Sequence, residues 1–253
     1  RYEAAFALVE ESGCNILRCW GGNVYEDTAF FHWCDTHGVM VWQDFAMACA
    51  EYPQDEEFYA CIATEAQAVV RKLRNHPSLI LWCGDNECDT FWLGRGMDPG
   101  ENKITRQVLA DVVRRHDPAR PYLPSSPYVA PEIARGASQK LMPEQHPWGP
   151  RDYYKSDFYQ GITAHFISEI GFHGCPNVKS IERFIAPEYL WPPQDNVQWI
   201  AHCTDSIGAD GPYAYRVNLM LDQVRELFAT LPDNLADFAL ASQIYQAEAF
   251  KFH

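Results

Sequence analysis

The segment Ser78-Leu79-Ile80-Leu81-Trp82-Cys83-Gly84-Asp85-Asn86-Glu87 carries the strongest structural signal in the chain. Its apolar run, residues 79–82, lies between Pro77 and Gly84. That pattern predicts a short strand buried on both faces, as parallel sheets require. The strand runs straight into Asp85-Asn86-Glu87. Two carboxylates and an amide are thereby placed at its carboxyl end, where α/β sheets and barrels keep their chemistry.

Working outward, the same alternation repeats. Residues 1–12 predict a helix closed by Gly13, and 15–20 a strand stopped by Gly21-Gly22. A helix over 27–37 ends at Gly38, and a strand over 39–44 ends at Asp44. The long helix over 55–74 places Phe58, Ile62, Ala66, Val69 and Leu73 at steps of three and four. Further on come a helix over 102–116, a strand over 121–125, a weak strand over 140–146 and a strand over 164–169. Helices over 178–186, 213–230 and 234–251 follow, the last with Asn234 as its N-cap. Residues 93–101 read as a glycine-rich loop whose glycines do not fit a dinucleotide-binding pattern.

Strands that alternate with helices and end in polar tips predict parallel β/α units. About six such strands are visible, whereas a (β/α)8 TIM barrel needs eight. The expected fold is therefore an incomplete TIM barrel lacking its first and last strands. Since no internal stretch has linker composition, residues 1–253 form one domain, an excerpt of a longer polypeptide.

Composition narrows the partners. A net charge of −14 argues against nucleic acid, whose recognition needs Lys and Arg to neutralise phosphate. No apolar run approaches the roughly 20 residues of a membrane span. Nine cysteines, without CxxC pairs, suit a reducing compartment, cytoplasmic rather than periplasmic or secreted. Cys83 and Cys88 have no second Cys/His pair at ligand spacing, which disfavours zinc. Eight Trp and 13 Tyr suit a dense core or a pocket that stacks on sugar faces.

Glu87 and Glu169 occupy equivalent places, each closing an apolar strand. In a barrel both point into the mouth. Two facing carboxylates are the equipment of glycoside hydrolysis: one protonates the leaving oxygen while the other attacks the anomeric carbon or activates water. Asp85, two residues before Glu87, shares its side if strand geometry persists. That second charge would raise the Glu87 pKa and make Glu87 the better proton donor.

Asn86-Glu87 and Ser168-Glu169-Ile170-Gly171-Phe172 resemble the two catalytic strand ends of glycoside hydrolase family 2. Asn15-Ile16-Leu17-Arg18-Cys19-Trp20-Gly21-Gly22, Val41-Trp42-Gln43-Asp44-Phe45 and Leu73-Arg74-Asn75-His76-Pro77-Ser78 are similar to its β-mannosidase branch. The resemblance implies a retaining exo-glycosidase cleaving terminal β-mannosides, with Glu87 as acid/base and Glu169 as nucleophile. It further implies that Asn86 bonds the sugar 2-hydroxyl and that Arg18 orients the nucleophile. Trp20, Asp44, His146 and Trp148 would line the sugar pocket. No cofactor or metal is required, and the substrate is an oligosaccharide or other glycoside. β-Sandwich domains are expected elsewhere in the same polypeptide. The rival expectations are the same hydrolase acting on β-glucosaminides or β-galactosides, and a non-catalytic carbohydrate-binding relative.

Overall fold

The computed structural model describes residues 2–202 and 215–253. The chain falls into two compact units, Arg1–Gln145 with Ala164–Ser168, and His146–Thr163 with Glu169–His253.

The first unit is built on a parallel sheet. Helix α1 (Glu3–Glu11) leads into β1 (Ile16–Cys19), α2 (Thr28–His37) into β2 (Met40–Asp44), and α3 (Glu56–Leu73) into β3 (Leu79–Cys83). After β3 come α4 (Cys88–Gly94), α5 (Leu109–His116) and β4 (Tyr122–Leu123). Among the described residues the sheet has four strands in the order β1-β2-β3-β4, every neighbouring pair parallel. Sequential order with a helix in each crossover is the winding of a β/α barrel.

The local chemistry explains the element ends. Asp27 caps α2 by accepting from the amides of Ala29 and Phe30, and Asp55 caps α3 through the amide of Phe58. Gly38 ends α2 at φ 69°, a left-handed conformation that glycine adopts without steric cost. The inner faces of α2, α3 and α5 pack with the strands: Phe31, Val41, Val70, Leu73, Leu79, Trp82 and Leu109 form one core. Burying each of these side chains contributes roughly 1.5–3 kcal/mol before the entropy cost of ordering it. Trp82 satisfies its one polar atom by donating to Asp117 at 2.8 Å.

In the second unit, α6 (Tyr215–Phe228) and α7 (Leu235–Phe252) pack with Ile181, Ile185 and Trp199 around Phe238. Asn234 caps α7 through the amide of Asp237. Residues 213–214 of the helix expected over 213–230 lie outside the described residues. No helix among the described residues is long and apolar enough to cross a membrane.

Two expected strands do not form. Between residues 140–146 and 164–169 strand pairing is limited to one parallel bridge, Gln145 with Ile167. Pro143 cannot donate to a ladder, and residues Gln139–Leu141 are a 3-10 turn. Phe166 is largely exposed, so the second segment lacks the two-sided burial that holds a parallel strand. The expected loop over 93–101 begins inside α4 and contains a 3-10 turn, Pro99–Glu101.

Candidate active site

In the first unit, four residues singled out in the sequence converge at the carboxyl ends of β1, β2 and β3. Arg18 of β1 donates through Nη2 to Asp44 Oδ2 at 2.8 Å and to Asn86 Oδ1 at 2.9 Å. Asp44, the last residue of β2, also accepts from Trp42 Nε1 at 2.8 Å and from the Gly21 amide at 3.0 Å. Burial pushes the Asp44 carboxyl up from its ordinary range, while Arg18, Gly21 and Trp42 pull against that effect. Gly21 is required there: a Cβ would lie 2.2 Å from the Met47 carbonyl oxygen.

Glu87 departs from the strand end expected of it. β3 stops at Cys83, and parallel pairing resumes only as single bridges from Asn86 to Ala48 and to Ser126. Glu87 itself adopts φ 58°, ψ 9°, in the left-handed region. Its amide donates to the Ser126 carbonyl at 2.7 Å, and its carbonyl accepts from the Phe91 amide at 2.9 Å as α4 begins. A non-glycine residue held there by hydrogen bonds on both sides is a form of local strain that collects at functional sites.

Consequently Asp85 does not stand beside Glu87 on one strand face. It turns inward, fully buried, where Oδ1 accepts from Ser125 Oγ and from the Cys88 amide. The expectation that Asp85 raises the Glu87 pKa from a shared strand face is corrected by this geometry. Trp20 is 45% exposed, with its ring against Gly22, and so belongs to the surface around β1 rather than to the core.

The second unit holds the other three. Trp148 Nε1 donates to Glu169 Oε1 at 3.0 Å, and His146 Nδ1 lies 3.9 Å from Glu169 Oε2. The Trp148 ring is closely packed: a Cβ at Gly171 would meet it at 2.5 Å, and the Arg151 guanidinium lies 4.5 Å from its centroid. Tyr159 donates to the Trp148 carbonyl at 2.8 Å. Glu169 therefore has one carboxylate oxygen bonded to a packed indole, which fixes the direction of the other.

These strand ends point to a known group of proteins. The sequence profile described as glycosyl hydrolases family 2, TIM barrel domain, matches residues 3–135. The chain belongs to glycosyl hydrolase family 2. It is 32% identical to a beta-mannosidase of Bos taurus over 267 residues, 96% of this chain and 29% of that protein. It is 31% identical to beta-mannosidase B of Thermothelomyces thermophilus, over 73% of this chain and 23% of that protein. The crystal structure of beta-D-mannosidase from Dictyoglomus thermophilum matches with a TM-score of 0.83 and 33% identity, over 99% of this chain and 30% of that one. An exo-chitosanase of Amycolatopsis orientalis shares the fold at 20% identity and a TM-score of 0.63. The chain thus spans less than a third of the length of these relatives, and its parallel sheet is part of a TIM barrel.

Beneath Glu87, this family 2 domain carries a buried polar layer. Asp89 receives a two-pronged bond from Arg106, both contacts 2.6 Å, and accepts from the Val129 amide at 3.0 Å. Burial first, then the neighbouring Asp89, push Asp85 up to about 8. Glu144, 3% exposed, accepts from Ser126 Oγ and the Tyr128 amide, each at 3.0 Å, and from Ser168 Oγ. Asp89, Arg106 and Glu144 had no place among the sequence candidates. An acidic residue in a helix or loop carries no mark of burial, and their partners lie 16 to 40 residues away.

Proposed function

We propose that the polypeptide carrying this chain is a retaining exo-glycosidase that releases terminal β-mannosyl residues. What supports the reading above all is the 0.83 TM-score and 33% identity to a beta-D-mannosidase over 99% of the chain. In this mechanism Glu169 attacks the anomeric carbon while Glu87 protonates the departing oxygen. Glu87 then takes a proton from water as the glycosyl–Glu169 ester is hydrolysed. Retention requires the two carboxyl groups to stand about 5–5.5 Å apart.

Each neighbour then has a chemical task. Trp148 Nε1 donates to Glu169 Oε1 and so orients the carboxylate that attacks. Arg18 fixes the Asn86 amide from its oxygen side. The Asn86 amide is the sugar 2-hydroxyl contact, and such a contact strengthens in the transition state. The rest of the polypeptide supplies the β-sandwich domains.

The test is chemical rescue. Glu169→Ala is expected to abolish turnover of aryl β-mannosides, and azide is expected to restore part of it by giving a mannosyl azide of inverted configuration. Full activity in the variant, or an azide product of retained configuration, would refute the assignment.

A further inference from the structure

Cys49 sits in the segment that follows β2, and that segment is tied to the Asn86-Glu87 tip by main chain. The Cys49 amide donates to the Asn86 carbonyl at 2.8 Å, and the Asn86 amide donates to the Met47 carbonyl at 3.0 Å. Tyr52 Oη accepts from the Ala48 amide at 2.9 Å. Cys49, like Glu87, is a non-glycine residue with positive φ, at 47°. Two such residues facing one another across paired main chain mark a geometry the surrounding structure enforces.

The thiol is thereby delivered to two site residues. Its Sγ lies 3.4 Å from Glu87 Oε2 and 3.5 Å from Asn86 Nδ2. The direction of these bonds follows from Arg18. A guanidinium only donates, so it must face Asn86 Oδ1, which turns Nδ2 toward the sulfur. The sulfur then accepts from Nδ2, and its single hydrogen is left for the Glu87 carboxylate.

We infer that Cys49 is a positioning residue that ties the Glu87 carboxylate to the Asn86 amide and holds the proton donor in its working orientation. The inference rests on the acid/base role proposed for Glu87. A thiol is a weak donor, so its effect lies in orientation rather than in stability.

The test compares Cys49→Ala and Cys49→Ser in the full polypeptide on two aryl β-mannosides, one with a dinitrophenolate leaving group and one with a methoxyphenolate. Demand for a proton donor grows with leaving-group basicity, and kcat/KM reports the first chemical step. Cys49→Ala is expected to lower kcat/KM about tenfold on the methoxyphenyl substrate, a fraction of what general acid catalysis contributes. It should leave the dinitrophenyl substrate within about twofold, and Cys49→Ser, which keeps a donor, should restore the loss. Equal losses on both substrates, no loss on either, or failure of serine to restore activity would overturn the inference.

A second readout needs no turnover. A carboxylate beside a thiol opposes thiolate formation, so Glu87→Gln should speed iodoacetamide labelling of Cys49 about threefold or more. An unchanged labelling rate would overturn the contact itself. Wild-type protein inactive on every β-glycoside, with labelling that responds to Glu87→Gln, would instead reject the proposed function and keep the contact.

Discussion

Asp85→Asn offers the sharpest test of the polar layer beneath Glu87. Asp85 is completely buried, its Oδ1 bonded to Ser125 and the Cys88 amide and its Oδ2 without a hydrogen-bond partner. Asp89 nearby is paired with Arg106 through both oxygens. One proton between the two carboxyls therefore belongs on Asp85, where a negative charge has no cation bonded to it. Burial and the Asp89 charge raise Asp85 from its ordinary 3.8 to about 8 in the folded protein. The folded state keeps this proton across that window while the unfolded chain releases it near pH 4. Stability from this group is complete below pH 4 and declines as pH rises toward 8. The decline for one proton is at most about 1.4 kcal/mol per pH unit. Between pH 5 and 7 it amounts to about 3 kcal/mol. Asparagine has nearly the same shape and no proton to lose. The stability of Asp85→Asn relative to wild type should therefore improve by about 3 kcal/mol over those two units. At a urea slope of about 2–3 kcal/mol per molar, that is a relative shift of about 1 M in midpoint. Urea denaturation of both proteins at pH 5, 6 and 7, followed by circular dichroism, measures it. A difference that stays constant with pH, or moves against the variant, would mean that Asp85 is ionised in the fold.

Arg106→Met should be severe, because it leaves Asp89 buried without its cation; the expected loss is about 3–5 kcal/mol in urea denaturation at pH 7. Gly84→Ala places a Cβ 2.1 Å from the Pro124 carbonyl and 2.6 Å from Tyr122 Oη. Its cost should reach about 1–3 kcal/mol or more, with the β3–β4 amides losing most protection in hydrogen exchange.

Much of the first unit was legible because its signals are local. The apolar runs that became β1, β2 and β3 and the glycine that closes α2 each act within a few residues. Glu87 was found as a residue but misplaced as a strand end. Nothing in Gly84-Asp85-Asn86-Glu87 announces a left-handed glutamate; its conformation is set by the Ser126 carbonyl, 39 positions later in the chain. The strands expected over 140–146 and 164–169 failed for a related reason. Apolar residues supply the pattern of a strand, yet a parallel strand also needs a partner along its length, and here Gln145 and Ile167 alone pair. His146, Trp148 and Glu169 come together even so, through side-chain contacts to the Glu169 carboxylate rather than through regular strand pairing.

Asp44 shows how tertiary accounting changes the meaning of a residue that the sequence places correctly. At the end of β2 it has the position expected of a residue lining the pocket, but its side chain is fully buried. A carboxylate has about four acceptor sites. Trp42 Nε1, the Gly21 amide, Arg18 Nη2 and, at 3.4 Å, Arg18 Nε supply four donors. What Asp44 contributes to this cluster therefore passes through Arg18, whose Nη2 it shares with Asn86. The same guanidinium that is held by Asp44 sets which way the Asn86 amide faces, and that in turn directs Nδ2 to Cys49. Order at the Glu87 tip is thus propagated from a buried carboxylate on β2, which only accepts, through a guanidinium, which only donates, to an amide and a thiol that do both.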